Sequence, residues 1–151
     1  MAEANEPVAL PHDDLIFDWN EFGRRGRVIP QGVTFFDETL RDGLQNPSVT
    51  DPGIDKKLEM LHLMAAIGIH VANIGLPGSS KRAFDDCLLM CQEIIDNKLP
   101  LKVAFAGRTV VADITPMIEI SQKTGMEVEI YTFIGSSPIR QFAESWDLDL
   151  I

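Results

Sequence analysis

Basic residues are scarce in this chain: 13 Lys and Arg stand against 23 Asp and Glu, a formal net charge of −10. A field of that sign repels nucleic acid and anionic lipid surfaces, so an anionic ligand needs its own local cluster of cations. Cysteine is nearly absent. Cys87 and Cys91 cannot build a disulfide framework, and their i, i+4 spacing in an apolar pattern reads as two small core residues on one helix face. Long apolar runs are missing too: no segment approaches the ~20 residues a membrane helix needs. Residues 2–8 are acidic and polar, unlike a secretory leader, so the expected location is cytoplasmic. Also lacking is the G-x-G-x-x-G spacing of a dinucleotide site, since Asp42-Gly43-Leu44-Gln45 follows the first predicted strand.

What is present suits one soluble domain with a real core: 151 residues, 45% hydrophobic and 24% charged. Residues 1–30 carry weak periodicity and read as an N-terminal arm, with Gly23-Arg24-Arg25-Gly26-Arg27 as a short basic turn. From Val33 the pattern becomes regular. Residues 33–37 form a nearly continuous apolar run, as in a parallel strand buried on both faces. Asp51 with Pro52 predicts the cap and first position of a helix, whose buried face would carry Ile54, Leu58, Leu61 and Met64, with Lys56, Lys57 and Glu59 elsewhere. Gly68 stops it.

Residues 71–76 predict strand two, ending at Pro77-Gly78-Ser79-Ser80. Ser79 or Ser80 caps a second helix with a stripe of Phe84, Cys87, Leu88, Cys91, Ile94 and Ile95, stopped by Asn97 and Pro100. Residues 101–105 predict strand three. A third helix enters near Asp113 or Thr115, with Pro116 in its first turn, and ends at Gly125. Residues 127–133 predict strand four, followed by Ile134-Gly135-Ser136-Ser137-Pro138.

The repeat is a β-loop-α unit, and right-handed crossovers make a parallel sheet its natural outcome. An open doubly wound sheet and a (β/α)8 barrel both fit that order. Polar residues at successive strand ends favour the barrel: Arg41, Asp42 and Gln45, then Asn73, then Arg108, then Ser136 and Ser137. Four strands are half of such a barrel, which typically needs about 250 residues. The expectation is therefore the N-terminal half of a barrel over residues 31–151, part of a longer protein or a half that must pair.

The most informative stretch is Val33-Thr34-Phe35-Phe36-Asp37-Glu38-Thr39-Leu40-Arg41-Asp42-Gly43-Leu44-Gln45. An apolar strand runs into a cluster of charge, and a glycine lets the chain turn away. The bland explanation is a salt bridge at a strand end. The functional one is a carboxylate for a metal beside a cation that stabilises an anion. Arg108, Asn73 and Ser137 also have ordinary explanations, as a loop cation, a turn residue and a helix cap.

Residues 37–45 resemble the D-x-T-L-R-D-G-x-Q signature of the DRE-TIM metallolyases, which include 2-isopropylmalate synthase, homocitrate synthase and 3-hydroxy-3-methylglutaryl-CoA lyase. Lys57-Leu58, Ile74-Gly75-Leu76-Pro77 and Ala106-Gly107-Arg108 agree with the same family. Thr132-Phe133-Ile134-Gly135-Ser136-Ser137-Pro138-Ile139 looks most like the 2-isopropylmalate synthase branch.

The resemblance implies a TIM barrel that condenses acetyl-CoA with a 2-oxo acid, using a divalent cation (Mg²⁺, Mn²⁺ or Zn²⁺). It implies Asp42 as a metal ligand and Arg41 as stabiliser of the enolate or alkoxide oxygen. It also implies Gln45, Asn73, Arg108 and Ser137 as substrate contacts, and a homo-oligomer or the rest of the barrel as partner. Asn73 stands where many synthases have Glu, and Tyr131 and Arg140 where strand four often has His. The family's His-x-His metal pair belongs to a later strand, and His12, His62 and His70 lack that spacing. Two alternatives stand beside the synthase: a lyase cleaving a 3-hydroxyacyl-CoA, which Gly43-Leu44-Gln45-Asn46 echoes, and an inactive half-barrel.

Overall fold

The computed structural model describes residues 32–151, and residues 34–151 form one compact unit. The expected arm over residues 1–30, with its basic turn, lies outside the described residues. The elements run β1 (Phe36–Asp37), α1 (Ile54–Ala66), β2 (Val71–Asn73), α2 (Lys81–Asp96), β3 (Lys102–Arg108), α3 (Val111–Thr124), β4 (Val128–Phe133) and α4 (Pro138–Glu144). The strands lie in the order β1-β2-β3-β4, and every pair is parallel. This is the order of the first four βα units of a barrel, in which each strand neighbours the next in sequence.

Side chains alternate along each strand, and residues paired in the ladder point the same way. One face carries Ala72, Ile74, Val103 and Phe105, which form the core with Leu61 and Met64 of α1, Cys87, Met90, Cys91 and Ile94 of α2, and Met117 and Ile120 of α3. Burial pushes the thiol of Cys91 up to about 12 and that of Cys87 higher still, so both are protonated apolar filling. The other face carries Phe36, Val71, Asn73, Ala104, Ala106, Tyr131 and Phe133. Phe36, Tyr131 and Phe133 remain 38%, 46% and 52% exposed, so this face is left uncovered at its rim. No helix of the described residues is long and apolar enough to cross a membrane.

Several local expectations are corrected. Strand one is paired only over Phe36–Asp37, shorter than residues 33–37. Asp51 does not cap α1. Gly53 takes the cap position without a side-chain bond, and Asp51 forms ion pairs with Lys57 and Arg82 at 2.8 Å each. Lys57 is not on the outer face but buried, 7% exposed. In α2, Ser80 is the cap and accepts from the Ala83 N–H, while Ile95 is exposed and Met90 takes its place in the core. Strand three continues past residue 105 to Arg108. The third helix starts at Val111, so Pro116 sits inside it and Asp113 is free for another role. Gly125 does end that helix, at φ 70°, the left-handed conformation that favours glycine.

Candidate functional site

The site begins where β1 ends. Asp37 Oδ1 accepts from the Thr39 N–H at 2.8 Å, and the N–H groups of Arg41 and Gly43 both donate to the Glu38 carbonyl at 3.1 Å. Leu40, 4% exposed, anchors the turn in the core. These bonds reverse the chain without help from a left-handed residue. A Cβ on Gly43 would meet nothing closer than 3.7 Å, so the turn does not require glycine there.

The turn gathers the charge. Arg41 is held on two sides: Nε and Nη2 donate to Glu38 Oε2 at 2.7 and 2.6 Å, and Nη1 donates to Asp42 Oδ1 at 2.9 Å. The Arg41 side chain is 20% exposed and that of Asp42 67%. Asn73, at the end of β2 and 1% exposed, donates from Nδ2 to Glu38 Oε1 at 3.3 Å and accepts from the Gly75 N–H at 3.4 Å. Glu38 thus ties the ends of two adjacent strands together and orients the guanidinium. The sequence signal for this role is its place three residues before Arg41 in the same turn, a spacing the motif alone does not distinguish from an ordinary exposed carboxylate.

Arg41 and Gln45 line a cleft of ~360 Å³ beside the ends of β1 and β2, together with Lys57, Arg82 and Asp86. Lys57 Nζ donates to Asp51 and Asp86 at 2.8 Å each. Burial works against its charge, but the hydrogen bonds to the two carboxylates outweigh that and raise its pKa above the ordinary value. The network joins the loop before α1 to α1 and α2, and so fixes the wall behind Arg41.

Arg108 and Ser137 do not join this cleft. They line a second one of ~540 Å³, at the ends of β3 and β4. Arg108 clamps Asp113 with two parallel bonds, Nε to Oδ2 at 2.9 Å and Nη2 to Oδ1 at 2.8 Å, and its backbone N–H adds a third at 2.9 Å. These bonds hold the Asp113 carboxyl down at about 2 and raise the pKa of Arg108. A Cβ on Gly78 would come within 2.9 Å of Asp113 Cα, so the glycine lets α3 close against the loop after β2. Ser137 caps α4, its Oγ accepting from the Arg140 N–H at 3.2 Å, which leaves its own proton to donate.

For a divalent cation the donor chemistry fits in part. Asp42 offers a hard, exposed carboxylate whose second oxygen has no partner among the described residues. No group of three or more His, Cys, Asp or Glu gathers among the described residues, so these residues alone do not close around a cation.

Four parallel βα units in sequential strand order, with polar side chains gathered at the strands' C-terminal ends, are the first units of a TIM-type barrel. The chain belongs to the HMGL-like family, whose pattern matches residues 32–146. It is 35% identical over 107 residues to a 2-isopropylmalate synthase of Bacillus pumilus (strain SAFR-032), covering 71% of this chain and 20% of that protein. A 2-isopropylmalate synthase of Sulfolobus acidocaldarius is 35% identical over 107 residues, 71% of this chain and 25% of the relative. One from Geobacillus stearothermophilus is 31% identical over 109 residues, 72% and 20%. The chain thus spans a fifth to a quarter of the length of these relatives.

Proposed function

We propose that this chain supplies the first half of the active site of an enzyme that condenses acetyl-CoA with a 2-oxo acid. The observation that carries the proposal is the Glu38–Arg41–Asp42 cluster at the end of β1, in a chain similar to 2-isopropylmalate synthases. In the reaction the acetyl methyl carbon loses a proton and bonds to the ketone carbon of the 2-oxo acid. Water then cleaves the thioester, and CoA leaves as the thiol.

Arg41 stays protonated throughout and offers N–H groups in a fixed fork, so it meets the oxygen on which negative charge develops. Glu38 keeps that fork from swinging away. Gln45, on the same cleft, donates to a substrate oxygen, and Asn73 acts through Glu38. Asp42 would offer a carboxylate oxygen to a divalent cation, which would supply Lewis-acid polarisation of the ketone. The remaining ligands and the catalytic base come from the rest of a barrel, which also supplies four further βα units; a second copy of this chain would bring strands but only the same side chains. The rest of the barrel also covers the open sheet face.

The test is release of free thiol from acetyl-CoA and a 2-oxo acid by the whole protein, with and without Mg²⁺ or Mn²⁺. Cation-dependent release is the expected result. Metal binding without thiol release from any common 2-oxo acid contradicts the proposal, and cleavage of a 3-hydroxyacyl-CoA to two products assigns the lyase reaction instead.

A further inference from the structure

The loop between β1 and α1, residues 38–53, carries Arg41, Asp42 and Gln45, with one short 3-10 turn at Gly43–Gln45 as its regular structure. Its first part is held by bonds to the Glu38 carbonyl and by Leu40 and Leu44 packed on the core. Beyond Gln45 the loop bonds to itself. The N–H groups of Asn46 and Val49 donate to the carbonyls of Gly43 and Asn46, and that of Ser48 to Asn46 Oδ1. Residues 46–50 are exposed, and among the described residues none of their hydrogen bonds leaves the loop. Asp51 ends this free stretch. Its Oδ1 pairs with Lys57 Nζ of α1 and its Oδ2 with Arg82 Nη2 of α2, each at 2.8 Å. The same Nη2 donates to the Pro52 carbonyl at 3.3 Å. The Lys57 side chain is 9% exposed and braced by Asp86, so water and salt screen this arm little.

One carboxylate on an exposed loop thus bridges two helices, and it lines the same cleft as Arg41 and Gln45. We propose that Asp51 is a clasp: it fastens the far end of the β1–α1 loop to α1 and α2, and so positions Gln45 for the 2-oxo acid. This rests on the condensing-enzyme proposal and concerns its cleft at Arg41. A loop tied at both ends has fewer conformations than one tied at a single end, so less ordering remains when substrate binds. Gln45 depends on this more than Arg41 does. Arg41 is gripped by Glu38 and Asp42, whereas Gln45 is exposed and its N–H bonds only to Asp42 in the same turn. The bridge needs two oxygens that both accept. An asparagine would keep one and turn an NH₂ donor toward a cation.

The test is amide hydrogen exchange of the whole protein, read by mass spectrometry, beside steady-state thiol release. Asp51→Asn should speed exchange of the segment holding the Gln45, Asn46 and Val49 amides about tenfold or more, with α1 and α2 unchanged. It should raise KM for the 2-oxo acid about fivefold or more, leaving kcat and the KM for acetyl-CoA as they were, because the lost ordering is made up on binding. Asp51→Glu, which keeps both oxygens, should restore slow exchange and most of the KM. Lys81→Ala, which removes only the exposed pair with Asp85 on α2, should change neither. The clasp is overturned if loop exchange ignores Asp51→Asn, or if exchange rises equally in α1 and α2. It is also overturned if the loop loosens while KM for the 2-oxo acid stays put, or if Asp51→Glu is as loose as Asp51→Asn. A loop loosened by Asp51→Asn in a protein that releases no thiol sinks the condensation reading alone. Thiol release with loop exchange insensitive to Asp51 sinks the clasp alone.

Discussion

Phe36 and Tyr131 touch edge to face with ring centroids 5.3 Å apart, although β2 and β3 lie between their strands. Neighbouring strands stand ~4.8 Å apart, so in a flat sheet β1 and β4 would be separated by about 14 Å. The contact requires the sheet to curl away from its helices, as the wall of a closed barrel does. Small residues in the middle permit it: Ala104 and Ala106 are 0% and 2% exposed on the concave face. Ala104→Leu should destabilise the chain by about 1–3 kcal/mol through overpacking. It should also abolish the ring–ring nuclear Overhauser contact between Phe36 and Tyr131 that the wild-type chain shows. A retained contact with unchanged stability would mean that the curl does not depend on these alanines.

Lys57 predicts the largest single loss of stability. Replacing it by Met removes the partner of Asp86, a residue only 9% exposed, and leaves a buried carboxylate with the distant Arg82 guanidinium at 3.8 Å. Losing one partner of a buried ion pair costs about 3–5 kcal/mol. The double substitution Lys57→Met with Asp86→Leu should recover most of that, read from denaturant midpoints.

The Asp113–Arg108 clamp predicts a specific acid sensitivity. The carboxyl lies at about 2 in the folded chain against an ordinary 3.8, so its stabilisation is complete above the ordinary value and fades as pH falls through about 2. Asp113→Asn should cost about 1–2 kcal/mol at pH 7, a modest figure because the Arg108 side chain is 69% exposed. The gap between variant and wild type should close between about pH 4 and pH 2. A gap constant with pH would show that the charge is not what stabilises the pair.

How far the sequence reveals this arrangement depends on range. The strands and their order were legible, because apolar runs ending in polar clusters are local signals, and Ser80 and Gly125 terminate helices as their residue types dictate. Pairings across long stretches were not. Lys57 and Asp86 are 29 residues apart, and nothing in either neighbourhood marks the other. Asp51 carries a cap-like signature before a proline, yet the stronger attraction of Lys57 and Arg82 takes it. Arg41, Arg108 and Ser137 all follow strand ends, which is what a sequence shows, but they line separate clefts, which it does not.

Glu38 is predicted to be a positioning residue. Glu38→Gln keeps the volume and one acceptor but removes the charge that holds Nε and Nη2 of Arg41. Turnover by the whole protein should fall about 10–100-fold, the cost of a misplaced reacting group, with little change in KM for acetyl-CoA. A rise in KM alone, with turnover intact, would assign Glu38 to binding instead.

The most direct measurement is the fate of the acetyl group. The whole protein is supplied with acetyl-CoA labelled with ¹³C at both acetyl carbons, a 2-oxo acid and Mg²⁺, and the products are read by mass spectrometry. The proposed chemistry predicts both labelled carbons in one new hydroxy dicarboxylic acid, released in equal amount with CoA thiol and lost on Arg41→Ala. Label appearing only in free acetate, or product formation that survives Arg41→Ala undiminished, would contradict it.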